Sequence, residues 1–163
     1  MEEEGRKRVR VFADGRQLGD PLWDMSYEED DYRFHDALHL TYAAMLGWSP
    51  IARWYLGRQR LSQPRVREVE DSGRAKVLEE AVAALTFDYA RAQRFLDGVE
   101  HLDFSLLQTV VNVTSGLEVR IRTTHEWEVA ILRSFAIWRL LREYSGGTLH
   151  LDLVARTVEF TPP

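Results

Sequence analysis

One segment, Arg74 to about Leu96, carries Leu78, Ala81, Leu85, Tyr89, Ala92 and Phe95 or Leu96 at helical spacing. A helix of that length with one apolar side needs other elements to cover it. The chain supplies a second one. Thr123-Thr124-His125-Glu126 has the form of a capping box, and Trp127 to Tyr144 follows with Ile131, Phe135, Trp138 and Leu141 on one face. Gly98 and Gly146-Gly147 stand just past the two ends, where helices stop.

Three shorter helices complete the set. One is predicted from about Tyr32 to Leu46, with Asp30 or Asp31 as N-cap and Gly47 as C-terminal cap. Its Phe34, Leu38, Thr41 and Met45 form one stripe, and His35, His39, Tyr42 and Leu46 the stripe beside it. Ser49-Pro50 opens another helix, which runs to about Leu56. Asp103 or Ser105 can cap a third over Phe104 to about Val113. Between them, Gly57 to Gly73 contains Pro64 and reads as a long loop. At the start, Arg8 to Phe12 alternates as a strand does, Asp14-Gly15 signals a turn, and Gly19-Asp20-Pro21 breaks the chain again. At the end, Thr148 to Leu153 and Thr157 to Phe160 read as a hairpin. The expected fold is α+β and mostly α-helical: about five helices, with a small antiparallel sheet formed by the N-terminal strand and the C-terminal hairpin. A chain of 163 residues suits a single domain, 1–163.

Composition then narrows the chemistry. The absence of Cys excludes disulfides, zinc fingers, iron–sulfur clusters and thiol catalysis. No apolar run is long enough to cross a membrane, and the start, Met1-Glu2-Glu3-Glu4-Gly5, is acidic where a signal peptide would be basic, so a cytoplasmic protein is expected. A net charge of −5 argues against nucleic acid as a partner. That sum hides a separation. Acids cluster at Tyr27 to Asp31 and at Glu68 to Asp71, while arginines concentrate between Arg53 and Arg74. There is no P-loop, dinucleotide fingerprint or nucleophile elbow, so no organic cofactor is indicated.

The sharpest local pattern is His35-Asp36-Ala37-Leu38-His39. At i and i+4 on a helix, two imidazoles project from one face, as they must to share a metal ion. An acid beside the first His is similar to His-Glu-x-x-His, with the shorter Asp in place of Glu. A third ligand has several sources, Glu70, Asp71, Glu79 or Glu80, and the spacing does not choose among them. The HD-type phosphohydrolase pattern needs a His before His35, and none is present. The alternative is structural, with both imidazoles bonded to buried carboxylates or carbonyls. Asp36 and Glu80 are the candidate catalytic acids or bases. The candidate metal ligands are His35, His39, Asp36, Asp71 and Glu80, with Mg²⁺ or another divalent ion in view. Arg58, Arg60 and Arg74 are the candidate phosphate-binding residues, because guanidinium forks match phosphate. Glu80 can instead pair with Lys76 on an ordinary solvated helix face.

Blocks of the sequence also resemble a known family. Gly19-Asp20-Pro21-Leu22, Asp31 to Leu40, Leu46-Gly47-Trp48-Ser49-Pro50, Glu70 to Ala75, Glu79-Glu80 and Phe87-Asp88-Tyr89-Ala90 occur in the order found in the domain C-terminal to MazG-type nucleoside triphosphate pyrophosphohydrolases. The likeness is best over 19–90. It implies an accessory role near nucleotide metabolism, with a nucleotide ligand, or a MazG-type or other nucleotide-processing enzyme, as partner. The MazG catalytic residues do not carry over, because Val82 and Ala83 stand three residues after Glu79 and Glu80 where the second acid of the Mg²⁺ motif belongs. Three readings follow: an accessory ligand-binding domain, a metal-dependent phosphohydrolase using His35 and His39, and a non-catalytic homo-oligomeric module.

Overall fold

A computed structural model describes residues 8–24, 30–60 and 62–163. The acidic start and the part of the acidic stretch at Tyr27 to Glu29 lie outside the described residues. Two strands, β1 (Arg8–Ala13) and β2 (Arg16–Trp23), precede six α-helices: α1 (Asp36–Leu46), α2 (Pro50–Tyr55), α3 (Pro64–Glu70), α4 (Gly73–Ala92), α5 (Phe104–Val113) and α6 (Thr124–Glu143). Two strands, β3 (Thr148–Asp152) and β4 (Thr157–Thr161), follow. The expected α+β, mostly helical class holds, and all five expected helices are present. None of the described helices is long and apolar enough to cross a membrane.

Two expectations change. The N-terminal strand does not join the C-terminal hairpin: β1 pairs antiparallel with β2, and β3 with β4, as two separate sheets. The Asp14-Gly15 turn, with φ of 51° and 75°, returns the chain locally, so the edge of β1 is filled by its own neighbour. Gly19-Asp20-Pro21 is therefore a bulge inside β2, opposite the register shift between Val9 and Val11, and no break. Pro21 sits there without costing a ladder donor. Gly19 is held at φ 64° with its backbone against the Tyr55 ring, 3.2 Å from where a Cβ would stand. The second change is α3, a short helix begun by Pro64 inside the segment read as a loop.

Capping follows the sequence closely. Ser49 accepts the Ala52 N–H, Ser72 accepts the Ala75 N–H, and Gly47 closes α1 at φ 67°. Thr123 and Glu126 form both halves of the capping box of α6. Before α1, however, Tyr32–Phe34 is a 3₁₀ turn, and Asp31 takes a left-handed conformation instead of capping the helix. At its far end α4 stops at Ala92. Arg94, Phe95 and Leu96 follow in the left-handed region, held by Arg139 bonding the Phe95 carbonyl at 2.6 Å and by Phe95 stacked on Trp138.

The core lies between α1, α4, α5 and α6, around Trp48, Trp127, Trp138, Tyr42, Phe135 and Leu38. Trp127 packs edge to face with Tyr42 and Trp48, and Trp138 donates its indole N–H to the Asp31 carbonyl. The central helix, α1, is buried on almost every side. On α4 the buried face is Ala75, Glu79, Val82, Ala83, Thr86, Phe87 and Ala90. Of the expected stripe, Ala81, Leu85 and Ala92 are exposed. The helix is rotated toward small residues that let α1 approach, and that rotation turns Glu79 inward and brings Glu80 beside α1.

The caps differ in a way that can be measured. Thr123→Ala should cost about 1 kcal/mol, the usual worth of an N-cap side chain. Asp103→Ala at the start of α5 should cost much less, because Asp103 makes no capping bond. Urea denaturation of both variants reads the difference.

Candidate metal centre

Rotation of α4 against α1 builds a cluster where the two helices meet. His35, at the turn before α1, His39 on α1 and Glu80 on α4 each place a ligand atom within 4.8 Å of the others. The rings of His35 and His39 meet edge to face at 5.6 Å between centroids. Asp36 stands beside them, its Oδ1 3.5 Å from His35 Nε2.

Hydrogen bonding fixes which nitrogen each ring presents. His35 Nδ1 lies 3.0 Å from the Tyr32 carbonyl, which can only accept, so this nitrogen carries the proton. His39 Nδ1 lies 2.9 Å from Glu79 Oε1 and likewise donates. In the neutral rings both Nε2 lone pairs are then left facing the cluster. His39 is fully buried, yet its Nε2 has no hydrogen-bond partner among the described residues, and neither has Asp36 Oδ1. The nearest group to His39 Nε2 is Glu80 Oε2 at 3.6 Å, too long for a good hydrogen bond.

Behind His39 sits Glu79, with no solvent exposure at all. Ser49 donates to its Oε1 at 2.6 Å, and the Ile51 N–H donates to its Oε2 at 2.9 Å. A carboxylate gripping the far nitrogen of an imidazole is the arrangement that orients metal-binding histidines.

Charge in the cluster follows from burial and neighbours. Burial alone would lower the His39 imidazole, but the Nδ1 bond to Glu79 and the charges of Glu79 and Glu80 outweigh it and bring it up to about 10. At neutral pH the ion-free ring therefore carries a proton on Nε2 that a bound ion would have to displace. Burial raises Glu80, and the close approach and charge of His39, with the charge of His35, overcome this and hold it below its usual range. His35 is lowered, chiefly by burial, and Asp36 is raised for the same reason. Tyr32 stacks on His35 at 4.4 Å, and burial pushes its phenol up to about 12; Tyr55 reaches about 12 likewise. Neither offers a phenolate at neutral pH.

The remaining candidates lie elsewhere. Asp71, expected among the metal ligands, is buried in a separate arginine cluster, where Arg53 Nε donates at 2.7 Å and the Arg60 backbone N–H at 2.9 Å. Both its oxygens are taken. Arg60, expected to bind phosphate, spans Asp71 and Glu118, and so is already engaged. Arg74 is exposed on the first turn of α4, and Arg58 is exposed beyond α2. Lys76 lies over the Trp54 ring at 4.8 Å, while Glu80 faces His39, so the solvated pair between them does not form. Glu79 was legible in the sequence as a possible ligand; its position behind His39 was not.

The family model described as the MazG C-terminal domain matches residues 1–163, the whole chain and well beyond the blocks in 19–90. Among curated proteins and solved structures, none matches.

The arginine cluster carries its own prediction. Burial would raise the Asp71 carboxyl, but hydrogen bonds from Arg60 and Arg53 outweigh it and hold it below the ordinary 3.8. A lowered folded value means its stabilisation is complete above about 3.8 and is lost as pH falls through the folded value. Asp71→Asn should cost about 3 kcal/mol at neutral pH, since two arginines lose a buried anion. The gap to wild type should close in acid, as read by denaturation at several pH values.

Proposed function

We propose, from the premise that this chain belongs to the MazG C-terminal domain family, that it is an accessory domain of nucleotide metabolism that holds one divalent cation. His35 and His39 would hold the ion through Nε2 and Glu80 through a carboxylate oxygen, with Asp36 beside His35 but outside that set of three. One observation carries this reading: the buried, unpartnered Nε2 of His39, aimed at Glu80 while Glu79 grips the opposite nitrogen. A buried imidazole nitrogen left without a partner is costly unless something fills the gap. The donor set refines the Mg²⁺ expectation. Imidazole nitrogens suit Zn²⁺, Mn²⁺, Co²⁺ or Fe²⁺, whereas Mg²⁺ prefers oxygen alone.

Titration calorimetry with Zn²⁺ and Mn²⁺, against Mg²⁺, tests it. The transition ions should bind one per chain and more tightly than Mg²⁺. His39→Ala should abolish binding, and Glu79→Gln should weaken it roughly 10- to 100-fold. Circular dichroism checks that each variant folds, and His35→Ala, at a less buried position, provides a second variant. Unchanged affinity in folded His35→Ala and His39→Ala proteins would overturn the reading.

A second reading, a phosphohydrolase in its own right, is favoured by Asp36. Its unpartnered Oδ1 beside His35 stands where a base would be needed. Release of phosphate or pyrophosphate from nucleoside triphosphates with Mn²⁺, lost in Asp36→Asn at unchanged metal affinity, would support it. No turnover in the metal-loaded protein would exclude it for these substrates.

A further inference from the structure

A cavity of about 1300 Å³ opens between the β1–β2 hairpin, α1 with α2, and the β3 end of the C-terminal hairpin. It exceeds the roughly 300–1,000 Å³ of ordinary small-molecule sites, so it has room for much more than an inorganic ion. Val9, Val11, Leu18, Phe34 and Leu40 give it an apolar wall. Seven arginines reach its lining against three acids, in a chain whose net charge is −5.

Four of those arginines are neutralised in place. Arg33 is paired with Asp24 and Asp31, Arg53 and Arg60 share Asp71 and Glu118, and Arg122 pairs with Glu126. Arg8, Arg10 and Arg58 have no acidic partner among the described residues, and Arg8 and Arg10, on the exposed face of β1 opposite Val9 and Val11, reach the cavity at its rim. Of the lining acids, Glu118 is occupied by Arg53 and Arg60, Asp36 faces His35, and Asp14 at the β1–β2 turn has no cationic partner among the described residues and offsets one of the three free arginines. The lining thus keeps a surplus of guanidinium beside an apolar surface. A concave surface of one sign gathers ligands of the other, and guanidinium forks match phosphate oxygens two at a time.

We infer that this cavity binds a phosphorylated, ring-bearing small molecule, with its phosphates on Arg8, Arg10 and Arg58 and its ring against the apolar wall. Asp36 belongs both to the cavity lining and to the histidine cluster, so the ligand and the ion would occupy adjoining sites. Choosing a nucleotide as the probe rests on the proposed role in nucleotide metabolism; the anion site does not.

The test is calorimetry of the full chain with ATP and with inorganic triphosphate, in EDTA so that no metal takes part. ATP should bind, and should bind about tenfold or more tighter than triphosphate if the apolar wall takes the ring. Arg58→Ala and Arg10→Ala, both at exposed positions, should each weaken ATP by about tenfold at an unchanged melting temperature. Because ATP is titrated in EDTA and the ion is titrated without nucleotide, failure of the metal site and failure of this cavity read out separately. No binding at millimolar ATP, or equal affinity in an Arg10→Ala/Arg58→Ala double variant, would overturn the assignment. Equal affinity for ATP and triphosphate would overturn the role given to the ring.

Discussion

A carboxylate without solvent, Glu79, fixes how three helices meet. It sits on α4, takes the side chain of His39 from α1, and takes the Ser49 hydroxyl and the Ile51 N–H from the start of α2. Removing such a group from water costs several kcal/mol, and only a complete set of donors offsets it. Because the carboxylate and its donors come from three elements, the bonds form only when α1, α2 and α4 have one mutual position. Ser49 serves twice, since its oxygen also caps α2 by accepting the Ala52 N–H. The same bond that locks the helices also sets the His39 ring, so the geometry of the candidate metal centre follows from a folding constraint.

Around that seam the molecule divides its charges into sets that seldom mix. Asp71 and Glu118 hold Arg53 and Arg60 on the outer side of α2 and α3, and Asp31 holds Arg33 and Arg142 at the entry to α1. The aromatic core, from Trp48 through Trp127 to Trp138, fills the space behind. Buried acids at Glu79 and Asp71 look alike in sequence but differ in what they meet: an imidazole and neutral donors in one case, two permanent cations in the other. Only the first leaves an imidazole nitrogen unpartnered; beside Asp71 the unpartnered atom is a carboxylate oxygen, Glu70 Oε2.

Much of the fold was legible because it is written in local chemistry. The capping box at Thr123 and Glu126, the Ser49-Pro50 start and the Gly47 stop each depend on residues within a few positions of one another. The i, i+4 pairing of His35 and His39 was legible for the same reason. Where reading failed, the deciding contacts were distant. The periodic stripe on α4 through Leu78, Ala81 and Leu85 gives a helix correctly but the wrong buried face. Apolar spacing carries no knowledge that Ala75, Val82 and Ala83 are small enough to admit α1. The short helix from Pro64 was hidden in a polar segment, since a single turn or two gives little periodicity to read.

The sequence by itself determined the class, the helices and their ends, and the face on which two histidines project, because these depend on backbone preferences and neighbours along the chain. It also determined family membership, through the order of its blocks. Only the tertiary structure decided that Glu80, and not Asp71, lies beside the histidine pair, that Glu79 stands behind His39, and that the two ends of the chain form separate hairpins. The first two outcomes depend on groups that meet across about 40 residues of chain, where packing, not local preference, chooses among carboxylates that the sequence presents as equals; the third follows from turns that pair each strand with its own neighbour.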